Sequence, residues 1–413
     1  MYGSSKDIKH NLKLFFVDGI FSTPAMTMIS VTTVIPFFLE EYGASTFQIG
    51  LAASLALICT VLTQPLFGSI ASHTRLMHNT FAKILLLQRL VFLAFILSIP
   101  IFASDSGVLV WMFLVFWALF NVFAGSYSVF YTPLMLKLLP PDKRGTMRGL
   151  GYAAGNLLGM GMAALIPVIL GSIPSPYDFV LIFSIGAVFL LINAILFLFM
   201  REHEDPEPRV PMSIVRYVKE MPSALRDNPA FRAMIATCTF LIAANPLQAY
   251  YTLYAIRVFS ATESHVAFLA ALAVISNAVG NVVFGPVTDR YGAVASIAIA
   301  ALLIMSAGML ALVTNSLHLL YAAWSLSNLG STCYGLSFSV LLGEASPSAK
   351  MPLYAGILTT ISLTFSSMIL LLLAPMLESV GFSALFATVF ACGAVSLLMN
   401  KLILCKRIIR PRG

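Results

Sequence analysis

The sequence predicts an all-α integral membrane protein with twelve transmembrane helices in two pseudo-symmetric six-helix bundles. Of the 413 residues, 59% are hydrophobic and only 10% are charged. Apolar runs of about 20 residues, long enough for a helix to cross the hydrocarbon, recur along the whole chain. A helix is the default for such a run because it satisfies its backbone hydrogen bonds internally.

The chain divides into twelve apolar spans at its clusters of charged residues, Pro and Gly. In order, the spans cover residues 13–39, 46–71, 82–103, 107–134, 147–171, 177–200, 231–258, 263–288, 292–314, 316–342, 352–377 and 381–403. The five cysteines fall singly inside or at the end of these spans, without the paired spacing of a disulfide framework or a metal site. The six histidines lie near loops and form no metal-like cluster. The sequence therefore predicts neither a metal site nor a cofactor.

The basic residues predict which way the spans point. All but two of the 24 Lys and Arg fall at one face of the predicted topology, the exceptions being Arg89 and Arg257. Because positive loops stay in the cytoplasm, we expect a multi-pass protein of the cell membrane, the inner membrane of a bacterium, with both termini cytoplasmic. The net charge of +7 then reports orientation and does not indicate nucleic-acid binding.

The segment between spans six and seven differs from the rest of the chain. It begins with "REHEDPEPRVP" and continues as "MSIVRYVKEMPSALRDNPAF", which mixes charged and apolar residues. This pattern is typical of a linker followed by a surface helix. We therefore expect an N-terminal six-helix bundle at 1–200, a cytoplasmic linker with an amphipathic helix at 201–230, and a C-terminal six-helix bundle at 231–413.

Two pairs of matched loops indicate that the halves are copies. "FGSIASHTRL" and "FGPVTDRYGA" each end the second span of their half, and "PPDKRGTMRGLG" and "SPSAKMPLYAG" each follow the fourth. Matched loops in matched places argue for an internal duplication. The second copy of the first loop keeps Asp289 and Arg290, where the first copy has Ser72 and His73.

The second-half loop carries a family signature. Gly285, Asp289, Arg290 and Gly292 match the G-x-x-x-D-R-x-G loop of the major facilitator superfamily, and the whole chain resembles that family. The resemblance implies the major facilitator fold and a transporter that alternates access to a site near the midplane. It also implies that this loop faces the start of the fifth span.

We expect this signature to gate the transporter. Gly285 would let two helices approach closely, and Asp289 would bind the positive end of a neighbouring helix in one conformation only. The resemblance also implies that Glu344 is positioned to form an ion pair with Arg290. The alternative is that the acid caps a helix and has no gating role.

Two ionisable residues are predicted to lie inside the membrane. Asp18 falls in the first span and Arg89 in the third, at similar depths of roughly 8 and 10 Å from one face. Ionisable groups at such depth are costly and tend to mark ion or substrate pathways, so we predict that they pair or couple transport to protons. The alternatives are that Arg89 extends to the surface and that Asp18 caps local backbone.

Polar residues at helical spacing predict a substrate site. In the major facilitator fold the first helix of each three-helix repeat lines the central cavity, which gives most weight to spans one, four, seven and ten. Amides and phenols suit an amphipathic or weakly polar solute. The candidates are Asn121, Tyr127, Asn245, Gln248, Tyr251, Asn277 and Asn328. The series Gly151, Gly155 and Gly159 favours a helix-packing face over a site.

These features favour a secondary active transporter, most simply a proton-coupled efflux permease for a small amphipathic organic compound. A solute-importing permease of the same fold and a non-transporting membrane sensor are the alternatives. The spans contain no nucleophile with a base and no paired carboxylates, so we predict that the protein is not an enzyme. We expect a monomer whose partners are its substrate, a proton or other coupling ion and the lipid bilayer.

Overall fold

The chain is helical throughout the part that the structure describes. A computed structural model describes residues 4–204, 214–346 and 351–404. Ten helical segments of the described part are long and apolar enough to cross a membrane, with Pro229–Phe259 counted as one. The predicted all-α membrane fold is confirmed, whereas the count of twelve transmembrane helices stays a prediction.

The chain forms two compact units. Unit 1 comprises Met1–Ala44 and Ile58–Ile214, and unit 2 comprises Ser45–Leu57 and Val215–Gly413. The predicted division at 1–200, 201–230 and 231–413 stays a prediction, since residues 205–213 of the predicted linker lie outside the described part.

Unit 1 is built from seven helices, the first part of α3 excepted. They are α1 (Ser5–Met28), α2 (Val34–Glu41), α3 (Thr46–His73), α4 (Met77–Phe102), α5 (Ser106–Leu138), α6 (Pro141–Ser172) and α7 (Tyr177–Leu198). The first predicted span is therefore not one helix, because it is interrupted between α1 and α2. At the break the Ser30 hydroxyl accepts the backbone N–H of Thr32 at 3.3 Å, a local bond that competes with the helix.

Glycines bring α1 and α6 into direct backbone contact. A Cβ atom added at Gly19 would lie 2.7 Å from the carbonyl carbon of Gly151, and one added at Gly151 would lie 2.6 Å from the carbonyl oxygen of Phe16. A Cβ at Gly155 would collide with the carbonyl oxygen of Gly19. The prediction that this glycine series packs helices is confirmed, and the crossing lies beside Asp18.

Unit 2 contains the remaining helices. They are α8 (Ile214–Asp227), α9 (Pro229–Ala244), a 3-10 turn (Pro246–Gln248), α10 (Ala249–Phe259), α11 (Glu263–Tyr291), α12 (Ala293–Leu312), α13 (Leu317–Ala345), α14 (Met351–Val380) and α15 (Phe382–Met399), with a π turn at Asn400–Leu404. The seventh predicted span is thus broken at residues 245–248. Proline explains this break, because Pro246 has no N–H to donate and its ring clashes with the preceding turn.

Candidate functional site

Asp18 is fully buried in unit 1 and is held by side chains from two other helices. Tyr131 of α5 donates its hydroxyl to Oδ2 at 3.0 Å. Asn193 of α7 donates its amide to Oδ1 at 2.5 Å. Both carboxyl oxygens thus accept hydrogen bonds, which offsets part of the free-energy cost of burying this group away from water.

Arg89 of α4 is 4% exposed, so its guanidinium does not extend to the surface. Its Nε donates to the Leu190 carbonyl at 3.3 Å, and Nη1 donates to Oε1 of Gln88. Gln88 is itself oriented by α5, because its amide donates to the Phe120 carbonyl at 2.8 Å. The alternative of a snorkelling Arg89 does not fit this geometry.

Asn193 lies between the two ionisable groups. Its Oδ1 accepts from Nη2 of Arg89 at 3.4 Å, while its Nδ2 donates to Asp18. The structure therefore brings the two predicted residues to one cluster, linked through an amide. A direct ion pair between them stays a prediction.

The two other unit 1 candidates lie on α5. Tyr127 stacks on Tyr131 with ring centroids 4.8 Å apart and meets Phe81 edge-on at 5.7 Å, which places it next to the Asp18 cluster. Asn121 is buried, and its amide donates to the Trp117 carbonyl of its own helix at 2.8 Å. The amide of Asn121 thus bonds within α5 in this structure, and no described hydrogen bond joins it to Asp18 or Arg89.

A second set of charges ties the helix ends of unit 1 together. Glu202, which follows α7, has a fully buried side chain. Its carboxylate accepts the backbone N–H and the ring Nδ1 of His78 at the start of α4, both at 2.9 Å, and the ammonium of Lys137 at the end of α5 at 2.8 Å. Burial opposes ionisation of Glu202, yet the hydrogen bonds from His78 and Lys137 hold its pKa below its ordinary value of 4.5.

In unit 2 the helix break between α9 and α10 faces α13. Gln248 donates its amide to the hydroxyls of Ser327 at 2.9 Å and Ser331 at 3.2 Å. Ser331 in turn donates to Oδ1 of Asn245. The broken segment and α13 are therefore joined by an uncharged hydrogen-bond network.

The other two candidate amides of unit 2 also form hydrogen bonds to α13. Thr332 donates to Oδ1 of Asn277 on α11 at 2.7 Å, and Asn328 donates to the Trp324 carbonyl at 2.9 Å. Asn328 is 6% exposed. Asn277 is thus joined to α13 through Thr332, whereas the amide of Asn328 bonds within its own helix, as that of Asn121 does.

Tyr251 packs in the aromatic core of unit 2. It is fully buried among aromatic rings, with Trp324 at 5.8 Å and Phe386 at 5.0 Å between centroids. Its hydroxyl, like that of Tyr250, has no hydrogen-bond partner in the described part of the chain. Tyr251 is therefore a core residue in this structure.

The structure only partly describes the predicted gate. α11 ends at Tyr291, and Gly292 then adopts a positive φ of 82° that favours glycine. No described atom lies within 4 Å of a Cβ placed at Gly285, so the expected close helix approach at Gly285 is absent from the described contacts. The Arg290 guanidinium lies over the Tyr291 ring at 5.4 Å.

The gating roles of the remaining signature residues stay predictions. Glu344 is exposed at the end of α13, and no ion pair joins it to Arg290 among the described side chains. The side chain of Asp289 lies outside the described part, as do those of Ser72 and His73.

Comparison with known proteins decides the family. The sequence profile of the Major Facilitator Superfamily matches residues 19–262, more than half of the chain. The chain belongs to the Major Facilitator Superfamily. It is therefore a multi-pass membrane transporter and not an enzyme, which confirms both predictions. No curated protein sequence matches the chain.

Solved transporter structures share the fold of this superfamily member. The human organic anion transporter MFSD10 (TETRAN) is 15% identical, covers 95% of this chain and 99% of its own, and gives a TM-score of 0.67. A bacterial homolog of the human lysosomal transporter Spinster is 16% identical over 99% of this chain and 100% of its own, with a TM-score of 0.68. The nucleoside transporter NupG is 12% identical over 95% and 99%, with a TM-score of 0.72. At such identities the likeness shows the fold alone.

Sequence reasoning missed several residues of the two networks. Asn193 and Gln88 complete the Asp18 cluster, and Ser327 and Ser331 complete the network in unit 2. The sequence did hold a signal for Asn193, which is the single amide within the apolar span 177–198. Ser327 and Ser331 had none, because most serines in such helices bond only their own backbone.

Proposed function

We propose that this transporter exports a small amphipathic organic compound across the cell membrane in exchange for protons. The observation that carries the proposal is the buried cluster of Asp18, Asn193 and Arg89 in unit 1. A buried carboxyl that neighbouring helices hold by hydrogen bonds is suited to take up and release a proton during a transport cycle.

The polar network of unit 2 supports the choice of cargo. Asn245, Gln248, Asn277 and Asn328 offer amide groups without fixed charge. Neutral donors and acceptors within an apolar helix bundle suit a solute that is itself mostly apolar with a few polar groups. We assign these four residues, with Tyr127 in unit 1, to substrate contact.

The direction follows from the nature of such a cargo. An amphipathic solute partitions into the bilayer without help, because burying its apolar surface is favourable. A dedicated carrier therefore changes its distribution mainly by removing it from the cytoplasm. Protons that flow into the cell, opposite to the cargo, supply the free energy for export. We place both termini on the cytoplasmic side and take the transporter to be a monomer.

Proteoliposomes test the coupling and the direction together. Liposomes that contain the protein are loaded with members of a panel of fluorescent amphipathic dyes, and the outside is acidified. We expect faster dye release from these liposomes than from protein-free ones. Asp18→Asn should abolish the acceleration by the gradient, while dye exchange without a gradient continues.

Two outcomes would overturn the proposal. Release that is indifferent to the gradient in the unmodified protein would remove proton coupling. Dye that moves in the same direction as the protons would instead identify a solute-importing permease.

A further inference from the structure

The hydrogen bonds that run from Gln88 through Arg89 and Asn193 to Asp18 have a fixed direction. The Phe120 carbonyl can only accept, so the Gln88 amide group points to it and Oε1 of Gln88 points to Arg89. The guanidinium of Arg89 has five N–H groups and no acceptor, so the atom of Asn193 that faces it must be the oxygen. The Asn193 NH₂ group is thereby directed at Oδ1 of Asp18.

The two oxygens of Asp18 consequently differ in what they can do. Oδ1 faces an NH₂ group, which donates and cannot accept a proton bound to that oxygen. An amide flip at Asn193 would relieve this conflict only by turning NH₂ towards Arg89, which would place two donors against each other. Oδ2 faces the hydroxyl of Tyr131, which can donate or accept after a rotation about its C–O bond.

We propose that Asp18 takes up its proton on Oδ2, that the Tyr131 hydroxyl then reverses from donor to acceptor, and that Asn193 is the positioning residue that excludes Oδ1. The inference rests on the proposed role of Asp18 as the proton site. In the step, an O–H bond of hydronium from the surrounding water breaks, one O–H bond forms on Oδ2, water is released and the carboxyl becomes neutral. The proton of Tyr131 stays on its own oxygen and turns away, so no other bond breaks.

Protonation of Asp18 in this arrangement changes a hydrogen bond on one helix, α5. Arg89 and Asn193 keep their hydrogen bonds in both states, because Oδ1 accepts from the amide whether or not Oδ2 carries a proton. Of the two side chains that the described contacts bond to Asp18, the one that changes is Tyr131 on α5, which stacks on Tyr127 at 4.8 Å. Tyr127 is also the residue of unit 1 that we assign to substrate contact, so protonation and cargo meet on the same helix.

The ionisable groups around Asp18 come from several helices. Those that the described contacts place there are Arg89 on α4, linked through Asn193, and Tyr131 on α5, with Tyr127 stacked on Tyr131. The side chains of residues 141–149 of α6 lie outside the described part. The proposal depends on the order of donors and acceptors at Asp18, Asn193 and Arg89.

Infrared difference spectroscopy of the reconstituted full chain tests the proposal. Spectra are recorded while the pH is stepped between about 5 and about 9, and the C=O stretching band that disappears in Asp18→Asn belongs to protonated Asp18. With the proton on Oδ2, the C=O oxygen is Oδ1 and accepts from Asn193. Asn193→Leu, of similar size, should therefore raise the C=O frequency, while Tyr131→Phe should move it less.

The opposite pattern identifies the opposite oxygen. If Tyr131→Phe raises the C=O frequency and Asn193→Leu does not, the proton is on Oδ1 and the inference is wrong, although proton coupling survives. If no band disappears in Asp18→Asn, Asp18 does not titrate and the proposed coupling fails as well. Tyr131→Phe removes a single oxygen atom, so it decides between the two oxygens even if Asn193→Leu fails to fold.

Discussion

Gln248 is one of two residues that bond the broken segment of unit 2 to α13 in the described contacts, the other being Asn245. Gln248→Met keeps the length of the side chain and removes its hydrogen bonds to Ser327 and Ser331. If Gln248 contacts cargo as proposed, the change leaves a polar group of the bound dye unpaired at a cost of about 1–3 kcal/mol, so we expect the Kd of a transported dye to rise about tenfold. Dye fluorescence titration measures this, with the unfolding temperature as a check on folding.

Asn281 provides the matched control for Gln248. It is an exposed amide on α11 that donates to the Asn277 carbonyl of its own helix at 2.8 Å. Asn281→Leu should leave the Kd of the dye unchanged. An equal loss of affinity in both variants would mean that the substitutions act through folding and that the unit 2 network is not the site.

At this scale the sequence predicts residue types better than partners. Asp18 and Arg89 stand out because charge is rare in apolar spans, and the structure places both in one buried cluster. Asn193 is 104 residues from Arg89 along the chain and 175 from Asp18. Its position between them depends on how α1, α4 and α7 pack, and nothing in the local sequence specifies that packing.

The close crossing of α1 and α6 predicts that a side chain added there destabilises the protein. Gly151→Ala would place a Cβ atom 2.6 Å from the carbonyl oxygen of Phe16. Because backbone cannot move aside as a side chain can, we expect a loss of about 1–3 kcal/mol of stability. Thermal unfolding of the purified protein in detergent measures the loss.

Gly161 is the control on the same helix, since a Cβ atom there meets nothing within 4 Å. Gly161→Ala should be neutral or should stabilise by up to about 1 kcal/mol, because alanine is the better helix former. Equal effects of the two alanines would show that helix propensity decides and that the close crossing contributes nothing.

The contacts of Glu202 predict a pH dependence. Its pKa is lower in the folded protein than its ordinary value of 4.5, so its contribution to stability is complete above about pH 4.5 and is lost as the pH falls through the folded pKa. Glu202→Gln should lower the unfolding temperature at pH 7, where wild-type Glu202 is ionised. The difference from wild type should shrink below pH 4.5.

Glu204 gives the comparison for Glu202, since it is exposed two residues further along the same segment. Glu204→Gln should follow the wild-type unfolding temperature at every pH. If Glu202→Gln and Glu204→Gln show the same unfolding temperatures across the pH range, the contacts of Glu202 with α4 and α5 do not stabilise the protein.

Helix continuity was predicted less well than helix existence. Hydropathy marks a span by its average, so the spans 13–39 and 231–258 read as continuous. The structure interrupts them between α1 and α2 and between α9 and α10. Pro246 gives a local reason for the second break. The first depends on a hydrogen bond from Thr32 to Ser30, which hydropathy cannot detect.

The two units carry different kinds of polar network. The network of unit 1 includes an acid and a base, whereas that of unit 2 consists of amides and hydroxyls. The loop signature also differs in charge between the halves, since the second copy has Asp289 where the first has Ser72. Duplication thus predicts that the two halves share a fold, but the polar and charged side chains of each half must be determined separately.

The loop signature predicts a change in the conformational equilibrium of the whole transporter. If Asp289 binds a helix end in one state only, Asp289→Asn removes about 1 kcal/mol from that state. The ratio of the two states then changes by about fivefold, because a contact present in one state biases the equilibrium by its own free energy. Ser72→Ala, at the matching place in the first half, should change the ratio little, since a hydroxyl is a weaker partner than a carboxylate for a helix terminus. Distance distributions between spin labels on the signature-bearing ends of the two units measure the ratio, and equal shifts in both variants, or none in either, would show that Asp289 is not a latch.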